Sequence, residues 1–370
     1  MSSLVQRKFW AANLACLISP LVLGGAPLAH AANNVGWVLV DQPNQTGAYT
    51  PDSAHSFNSA HGSITVNASE TGQYQVYFNN LVISSSTPVD VQVTAYNSAN
   101  RCTGGEPSMA TSSNAYVDVQ CVDSSGQPAN SGFSLLYQSR SAPFGSASNA
   151  LAYAQFTYEG EHATLNAYNS FNSRGGQNTA VESNKTGNSA GNYTVTLTGM
   201  TRLGGDVQVN GYTSTAQCKV IDWGAGSTAT TITVQCSRTD NGLPTYASFN
   251  LAYAIGEPFG LVPGDATLGA WLWAQDPTST APYKPNPHFQ YNGFRTGAMT
   301  AQKTSTGHYT VTIPGTLTYT SAIALATAYG PGNGYCNVAG WTGGTINVVC
   351  YNQTQAFADS RFNLTFQTAR

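Results

Sequence analysis

Charged residues are scarce in this sequence. Only 8% of the residues are Asp, Glu, Lys or Arg, whereas ordinary domains carry about 25%. Beyond residue 31, setting Arg7 and Lys8 aside leaves 12 basic residues against 17 acidic ones, a formal net charge of −5. Such a chain is not basic enough to follow a phosphate backbone, so a nucleic-acid partner is not expected. The 41% of hydrophobic residues can still build packed cores.

The chain also lacks a long uninterrupted apolar run. Arg7 and Lys8 precede an apolar stretch from Phe9 to Leu23, and Ala29-His30-Ala31 matches an A-x-A cleavage pattern. These features predict a signal peptide over residues 1–31 and a secreted protein, extracellular or at the cell surface. A membrane anchor is the alternative, but Pro20 interrupts the stretch and spanning needs about 20 consecutive apolar residues. No later stretch is predicted to cross a membrane as a helix.

Metal-binding patterns are missing as well. The sequence has no C-x-x-C, and no histidine lies at ligand spacing from a cysteine, so neither zinc nor another cofactor is expected. Asp-rich calcium loops are absent too. Cys16 falls inside the predicted signal peptide. The six cysteines that remain are an even number, which is typical of disulfides in exported proteins: Cys102, Cys121, Cys218, Cys236, Cys336 and Cys350.

The most informative feature present is a threefold repeat. Cys102 aligns with Cys218, 116 residues later, and Cys218 aligns with Cys336, 118 residues later. A tyrosine stands six or seven residues before each of these cysteines, and a Phe-x-Leu-x-aromatic run closes each repeat. The repeats predict three domains of ordinary size that fold independently, over residues 32–142, 143–258 and 259–370.

Alternation with a period of two predicts β-strands in each repeat. In the second repeat Tyr193, Val195 and Leu197 alternate with threonines, and Val207 and Val209 are predicted to point inward, with Gln208 and Asn210 outward. We therefore expect an all-β protein of three tandem antiparallel β-sandwich or Greek-key modules. Pairing within each repeat predicts the disulfides Cys102–Cys121, Cys218–Cys236 and Cys336–Cys350. Each would stabilise its module by about 3 kcal/mol.

Signals for catalysis are weak. Gly187-Asn188-Ser189-Ala190-Gly191 matches the G-x-S-x-G pattern of serine hydrolases, which places the serine on a turn between a strand and a helix. Here a strand pattern follows instead, so an insertion in a polar loop is the favoured interpretation of Ser189. His55 and His61 lie near Asp52, but no histidine recurs at aligned positions in all three repeats.

Tryptophans offer the other candidate site. Trp37, Trp271 and Trp273 lie in predicted opening strands, and Trp223 and Trp341 each follow the first cysteine of their repeat by five residues. These five are the ligand-binding candidates, as a stacking platform for a sugar or another flat ligand. Packing over a sheet against the disulfide is the alternative, and it is favoured because aromatic residues usually contribute to cores.

The order of these motifs resembles a tandem β module of uncharacterised secreted proteins of bacteria. The third repeat carries the pattern best, in Tyr309 to Gly315, Ala328-Tyr329-Gly330, Cys336 to Trp341 and Asp359 to Phe362. The second repeat carries most of it, and the first lacks the tryptophan after Cys102. The resemblance implies export and a β module, and it implies no activity.

Together these features favour a secreted, non-enzymatic binding or surface-associated protein. Its partner would be an extracellular polysaccharide or a cell-surface component, because repeated sites can raise avidity, whereas the repeats share no ionisable residue that could serve catalysis. Two alternatives stay open. One is a secreted hydrolase that uses Ser189 or a His/Asp set, and the other is a secreted inhibitor or effector of extracellular proteins.

Overall fold

The chain is built from β-strands. The computed structural model describes residues 34–83, 87–139, 149–159, 162–182, 190–262, 267–316 and 319–369. Within these ranges the helical structure consists of two 3₁₀ turns, Ser53–His55 and Pro287–Phe289. The all-β class is therefore confirmed. None of the helices among the described residues is long and apolar enough to span a bilayer. The predicted signal peptide and Ser189 lie outside the described ranges.

We group the strands by the three repeats that the sequence predicts. The first repeat holds β1 (Asn34–Val40), β2 (Gly47–Tyr49), β3 (Ser56–Asn58), β4 (Ile64–Glu70), β5 (Gln73–Phe78), β6 (Val89–Tyr96), β7 (Arg101–Gly104), β8 (Ser108–Thr111), β9 (Asn114–Val122) and β10 (Gly132–Ser139). The second holds β11 (Ala150–Glu159), β12 (His162–Asn172), β13 (Asn178–Glu182), β14 (Asn192–Thr198), β15 (Asp206–Gly211), β16 (Gln217–Ala225), β17 (Ala229–Ser237) and β18 (Phe249–Ile255). The third holds β19 (Thr267–Ala274), β20 (Gln290–Asn292), β21 (Thr300–Ser305), β22 (His308–Thr312), β23 (Ser321–Tyr329), β24 (Tyr335–Thr342), β25 (Thr345–Tyr351) and β26 (Arg361–Ala369).

These strands form four sheets. One sheet has the order β21-β22-β25-β24-β6-β10-β1-β3, and a second has the order β13-β14-β17-β16-β23-β26-β19-β20. A third has the order β12-β11-β18-β15, and the fourth has the order β2-β4-β5-β9-β7, with β8 also paired to β9. The three predicted disulfides are present. Each joins directly opposed residues of neighbouring antiparallel strands, in the pairs β7/β9, β16/β17 and β24/β25.

The predicted alternation holds where a strand covers a single core. Tyr193, Val195 and Leu197 on β14 are buried, while the threonines between them are partly exposed. Their neighbours across the sheet continue this core, because Ile232 on β17 lies opposite Val195. A half-buried strand of this kind is what a period of two indicates.

The prediction that Gln208 and Asn210 face outward is wrong. Both side chains are buried, as are Val207 and Val209 on the other face of β15. The reason is that strands of other repeats cover the second face of β15. Gln208 Oε1 accepts a hydrogen bond of 2.8 Å from Thr327 Oγ1 on β23. A strand buried on both faces does not need to alternate apolar with polar residues, provided that its polar groups find partners.

Three short parallel contacts link the repeats. Gly104 of β7 bridges to Tyr212 after β15, Val220 of β16 pairs with Tyr329 of β23, and Val338 of β24 pairs with Tyr96 of β6. In each case the first residue lies two positions after the first cysteine of its repeat. We call these contacts the first–second, second–third and third–first junctions, and they close a cycle. The three stretches are therefore in contact rather than separated by linkers, since two sheets continue across the junctions and Ala31–Arg370 forms one compact unit. Independent folding of the three predicted domains stays a prediction.

Polar residues fill part of the space between the repeats. Asp90 on β6 accepts hydrogen bonds from Gln92 Nε2 at 2.8 Å and from Gln138 Nε2 at 2.9 Å. Asp206 on β15 is the residue that aligns with Asp90, and it accepts hydrogen bonds from Gln208 and Thr365. Both carboxyls are buried. Loss of hydration raises the pKa of Asp90 and the pKa of Asp206 to about 7, although the hydrogen bonds oppose the rise.

Candidate functional site

Two of the five candidate tryptophans are not available to a ligand. Trp37 is 0% exposed and Trp271 is 3% exposed. Trp37 stacks on Phe57 with ring centroids 4.4 Å apart, and its Nε1 donates to Ser321 Oγ at 2.9 Å. Trp271 Nε1 donates to the carbonyl of Gly256 at 2.7 Å. Predicting these two as ligand contacts is therefore wrong, because each ring is enclosed and each indole N–H is already bonded.

The other three candidates lie at the junctions between repeats. Trp223 and Trp273 come from different repeats, and the structure brings them into contact at the second–third junction. Trp341 lies at the third–first junction. Each junction also contains the tyrosine that precedes the first cysteine of a repeat. The site is therefore shared between repeats, rather than repeated within each of them.

The second–third junction carries a four-ring cluster, made of Trp223, Trp273, Phe289 and Tyr329. Five pairs of these rings lie 5.0–5.5 Å apart between centroids, with their planes inclined by 63–87°. This edge-to-face arrangement is a favourable geometry for aromatic rings. Trp223 is only 8% exposed, and its Nε1 donates to the carbonyl of Gly204. Trp223 therefore supports the cluster from below, whereas the other three rings are half-buried and reach the surface.

An exposed carboxylate lies at the rim of the four-ring cluster. The hydroxyl of Tyr329 donates to Asp222 Oδ1 at 2.8 Å, and Asp222 is exposed. Burial of the ring, together with this hydrogen bond and the charge of Asp222, raises the pKa of Tyr329 to about 12. Tyr329 thus remains a donor at neutral pH and holds the carboxylate in place. Trp273 Nε1 has no hydrogen-bond partner.

The third–first junction has a smaller aromatic group. The ring of Trp341 lies 5.6 Å from the ring of Tyr96 and 5.3 Å from the ring of His55, both from the first repeat. All three residues are half-buried, and Trp341 Nε1 has no hydrogen-bond partner. The residue four positions after the cysteine is Gly340, so this position supplies no carboxylate. Burial and the charge of Asp41 raise the pKa of Tyr96. A Cβ placed on Gly340 would lie 3.7 Å from the Tyr96 hydroxyl.

The first–second junction is polar. The hydroxyl of Tyr212 donates to Glu106 Oε2 at 3.1 Å, which repeats the contact between Tyr329 and Asp222. Burial and the neighbouring Glu106 raise the pKa of Tyr212. Gln155 occupies the position that aligns with Trp273, and its Oε1 accepts hydrogen bonds from Asn166 at 2.7 Å and Asn169 at 3.1 Å. Amides therefore stand where the second–third junction has rings.

The residues proposed for catalysis are not brought into one site. Ser189 falls outside the described ranges. Asp52 Oδ1 accepts from the backbone N–H of Ala54, and His55 Nδ1 has no hydrogen-bond partner. His61 and His288 are exposed. Across the described ranges, no group of three His, Cys, Asp or Glu residues could hold a metal ion.

Three contributors to the junctions were missed in the sequence. Asp222 and Glu106 each follow the first cysteine of their repeat by four residues, so an acidic residue at a repeated position was the available signal. No repeated residue type marks Phe289, because the aligned residue is His55 in the first repeat and Asn169 in the second. Its place beside Trp223 depends on the 3₁₀ turn Pro287–Phe289, which begins at the Asn286 cap.

Comparisons of the chain with family models, with curated proteins and with solved structures give no match.

Proposed function

We propose that this chain is a secreted, non-enzymatic binding protein. Its ligand would be an extracellular polysaccharide or a carbohydrate component of a cell surface. The observation that carries the proposal is the four-ring cluster with Asp222 at its rim, which is assembled from two repeats.

The chemistry of the cluster suits a sugar. Pyranose rings present C–H faces that pack on aromatic surfaces, and hydroxyl groups that need polar partners at the edge of the contact. Trp273, Phe289 and Tyr329 offer the partly exposed rings. Only one oxygen of Asp222 accepts from Tyr329, so the other oxygen remains for a sugar hydroxyl.

The aromatic part of the cluster is not needed to close a junction. At the first–second junction the same parallel contact and the same bond from tyrosine to carboxylate form without any tryptophan. The rings of the second–third junction are partly exposed, and a junction can form without them. A binding role therefore explains them better than a structural role. Trp341 with Tyr96 would provide a second, smaller contact, and two contacts on one chain can raise avidity for a polymer.

The proposed architecture and location fit this role. We propose three modules, each a pair of packed sheets braced by one disulfide, arranged in a ring through the three junctions. Three disulfides and the absence of a membrane-spanning helix among the described residues support an extracellular location. The resemblance to a tandem module of secreted bacterial proteins belongs to the same proposal.

Substitutions at the rim and on the exposed rings test the proposal. Binding would be measured by sedimentation with insoluble polysaccharides and envelope fractions, and by titration of tryptophan fluorescence with soluble oligosaccharides. Asp222→Ala and Phe289→Ala should each weaken binding about tenfold, the loss of a contact worth about 1.4 kcal/mol. Glu106→Ala removes the aligned carboxylate at the polar junction and should leave binding unchanged. Equal binding by all four proteins would contradict the site, and no binding by the native chain would contradict the function.

A further inference from the structure

The three repeats differ at one edge of their sheets. The strands β4, β13 and β21 are equivalent, because each pairs with a strand that carries a Tyr-x-Val sequence. Val66, Ala180 and Ala301 lie opposite the valine of that sequence, so they are equivalent residues. The far side of the strand is covered at Val66 and Ala301, and it is open at Ala180.

A short segment with a tyrosine covers this edge in the first and third repeats. Tyr49 of β2 pairs with Val66, and Tyr283 exchanges two backbone hydrogen bonds of 2.9 Å with Ala301. Each tyrosine follows the first tryptophan of its opening strand by twelve residues. Beneath these segments Val66 is 0% exposed and Ala301 is 1% exposed.

The second repeat takes a different course. After β11 its chain turns back and continues as β12 in the neighbouring sheet. Leu165 stands twelve residues after Tyr153, where the other repeats have the tyrosine. Among the described residues β13 therefore pairs only with β14 and ends its sheet. Ala180 is half-buried, and the next residue, Val181, is 67% exposed.

An open groove adjoins the free edge of β13. Its volume is about 540 Å³, which is within the range of ligand pockets. Leu165, Ala167 and Ser170 of β12 line one part of it, and residues 177–180 line another. Leu165 and Ala180 also pack against the core of the second repeat. An aromatic side chain in the groove would therefore reach that core, as Tyr49 reaches the core of the first repeat.

The free edge presents backbone groups that can pair with a further strand. Ala301 directs its N–H and C=O to Tyr283, and a residue in an antiparallel strand points both groups to the same side. The equivalent Ala180 therefore points its N–H and C=O away from β14. Such an edge can recruit an extended segment of another chain. β13 has no proline, lysine or bulge that would prevent this pairing.

Glu182 indicates what the added segment carries. Both of its carboxylate oxygens are buried and have no hydrogen-bond partner. Glu182 lies two residues after Ala180, so the two side chains share one face of β13. On an added antiparallel strand, the residue opposite Glu182 comes two positions before the residue opposite Ala180, as Gly47 precedes Tyr49 along β4. A basic residue there would have its Cβ about 5 Å from that of Glu182.

We propose that the free edge of β13 binds an extended segment of another protein, in which a tyrosine follows a basic residue by two positions. The segment would pair antiparallel with β13 and place its tyrosine in the groove opposite Ala180. Its basic residue would neutralise Glu182. This surface shares no residue with the four-ring cluster, so the inference does not depend on carbohydrate binding.

Peptides derived from the covered edge of the first repeat provide the probe. A peptide of residues 43–52 that carries Gly47→Lys should bind the intact protein in isothermal titration calorimetry. The peptide that retains Gly47 should bind about tenfold more weakly, because it lacks the charge-assisted contact. Adding Tyr49→Ala to the lysine peptide should abolish binding. The proposal is wrong if the lysine peptide does not bind, or if all three peptides bind equally.

Substitutions in the protein locate the bound peptide. Ala180→Pro removes an N–H from the free edge, where a strand tolerates proline, and should abolish binding of the lysine peptide. Glu182→Gln should make the lysine and glycine peptides bind equally. Glu70→Gln, on the covered strand β4, should retain the tenfold preference. Native affinity in Ala180→Pro would place the peptide elsewhere and overturn the proposal.

Hydrogen exchange distinguishes a free edge from a covered one and needs no variant. The amide of Ala180 should exchange rapidly in the native protein and become protected when the lysine peptide is added. Protection in the free monomer would show that the chain covers its own edge. Protection that appears only in a dimer, detected by light scattering, would show that a second copy covers it. Either result would overturn the proposal of a segment from another protein.

Discussion

The first–second and second–third junctions differ in their side chains although their backbones match. Each has a parallel contact two residues after a cysteine, and each has a tyrosine that donates to an acidic side chain. Around this shared frame, the first–second junction has Pro107, Gln155 and Asn169 where the second–third junction has Trp223, Trp273 and Phe289. The parallel contact and the tyrosine are thus common to both junctions, and the aromatic surface is an addition at the second–third junction.

The largest expected effect comes from the buried carboxyls on the strands that lead to two of the junctions. Asp90 and Asp206 lie six residues before the tyrosines of β6 and β15, whereas β23 has Ile323 at that position. Their pKa values of about 7 lie above the ordinary value of 3.8, so the folded state binds protons more tightly than the unfolded chain. The free energy of unfolding should be highest below about pH 4, fall as the pH rises towards 7, and then level off. The change is on the order of 4 kcal/mol for each carboxyl.

Urea unfolding at a series of pH values would measure this fall. Asp206→Asn preserves the shape of the side chain and should remove about half of the pH dependence, and Asp90→Asn should remove a similar share. Ile323→Val, at the aligned position of β23, should leave the slope unchanged. A native protein whose stability is flat between pH 4 and pH 7 would show that these carboxyls are not protonated on folding.

Removal of the ring beneath the four-ring cluster should have the next largest effect. Trp223→Ala empties a buried site and should lower the free energy of unfolding by about 3–5 kcal/mol. Pro107→Ala, at the aligned position of the first–second junction, removes far less volume and should cost under about 1 kcal/mol. Chemical denaturation of the two variants gives both numbers. Equal losses would mean that the two junctions are packed alike, against the comparison above.

Removal of a disulfide should lower the free energy of unfolding by nearly the same amount in the first and second repeats. Replacing Cys218 and Cys236 with alanine should cost about 3 kcal/mol, because their link restricts the unfolded chain. Replacing Cys102 and Cys121 should cost nearly the same, since the sequence separations are 18 and 19 residues. Differential scanning calorimetry of the two double variants tests this. A gap above about 2 kcal/mol would mean that the disulfides also depend on the side chains that pack around them.

The smallest expected effect concerns the tyrosine hydroxyls. Tyr329→Phe removes a hydrogen bond to a carboxylate and should lower the free energy of unfolding by about 1–2 kcal/mol. Water can solvate the exposed Asp222 in the variant, which offsets part of this loss. Tyr96→Phe should cost less than about 0.5 kcal/mol, since Gly340 supplies no acceptor side chain at the third–first junction. Urea midpoints at constant slope would resolve the two. The reverse order would show that Asp222 does not contribute to closure of the junction.

Several features of the sequence were sufficient to predict the local structure. The alternation of Tyr193, Val195 and Leu197 predicted a strand with one buried face, and the structure confirms it. The cysteine spacing within the repeats predicted all three disulfides. Both succeed because they depend on residues that are close in sequence, within one strand or between strands fewer than 20 residues apart.

Predictions failed where residues face another repeat. Gln208 and Asn210 have the composition of a solvent-facing strand, yet they are buried beside β23 and β18. Packing in the core was the favoured interpretation of Trp37 and Trp271, but the sequence could not separate these two enclosed rings from the partly exposed Trp273 and Trp341. The contact between Trp223 and Trp273 joins residues 50 positions apart in different repeats, and no local pattern indicates it.

The sequence by itself determined that this chain forms β-strands in three related stretches, each closed by its own disulfide. It did so because side-chain alternation is a property of single strands, and each cysteine pair joins strands that are close in sequence. Only the tertiary structure decided that the stretches share sheets in a closed cycle, and which tryptophans reach the surface. These outcomes depend on which faces meet across the junctions, and burial is a property of the assembled fold rather than of any residue alone.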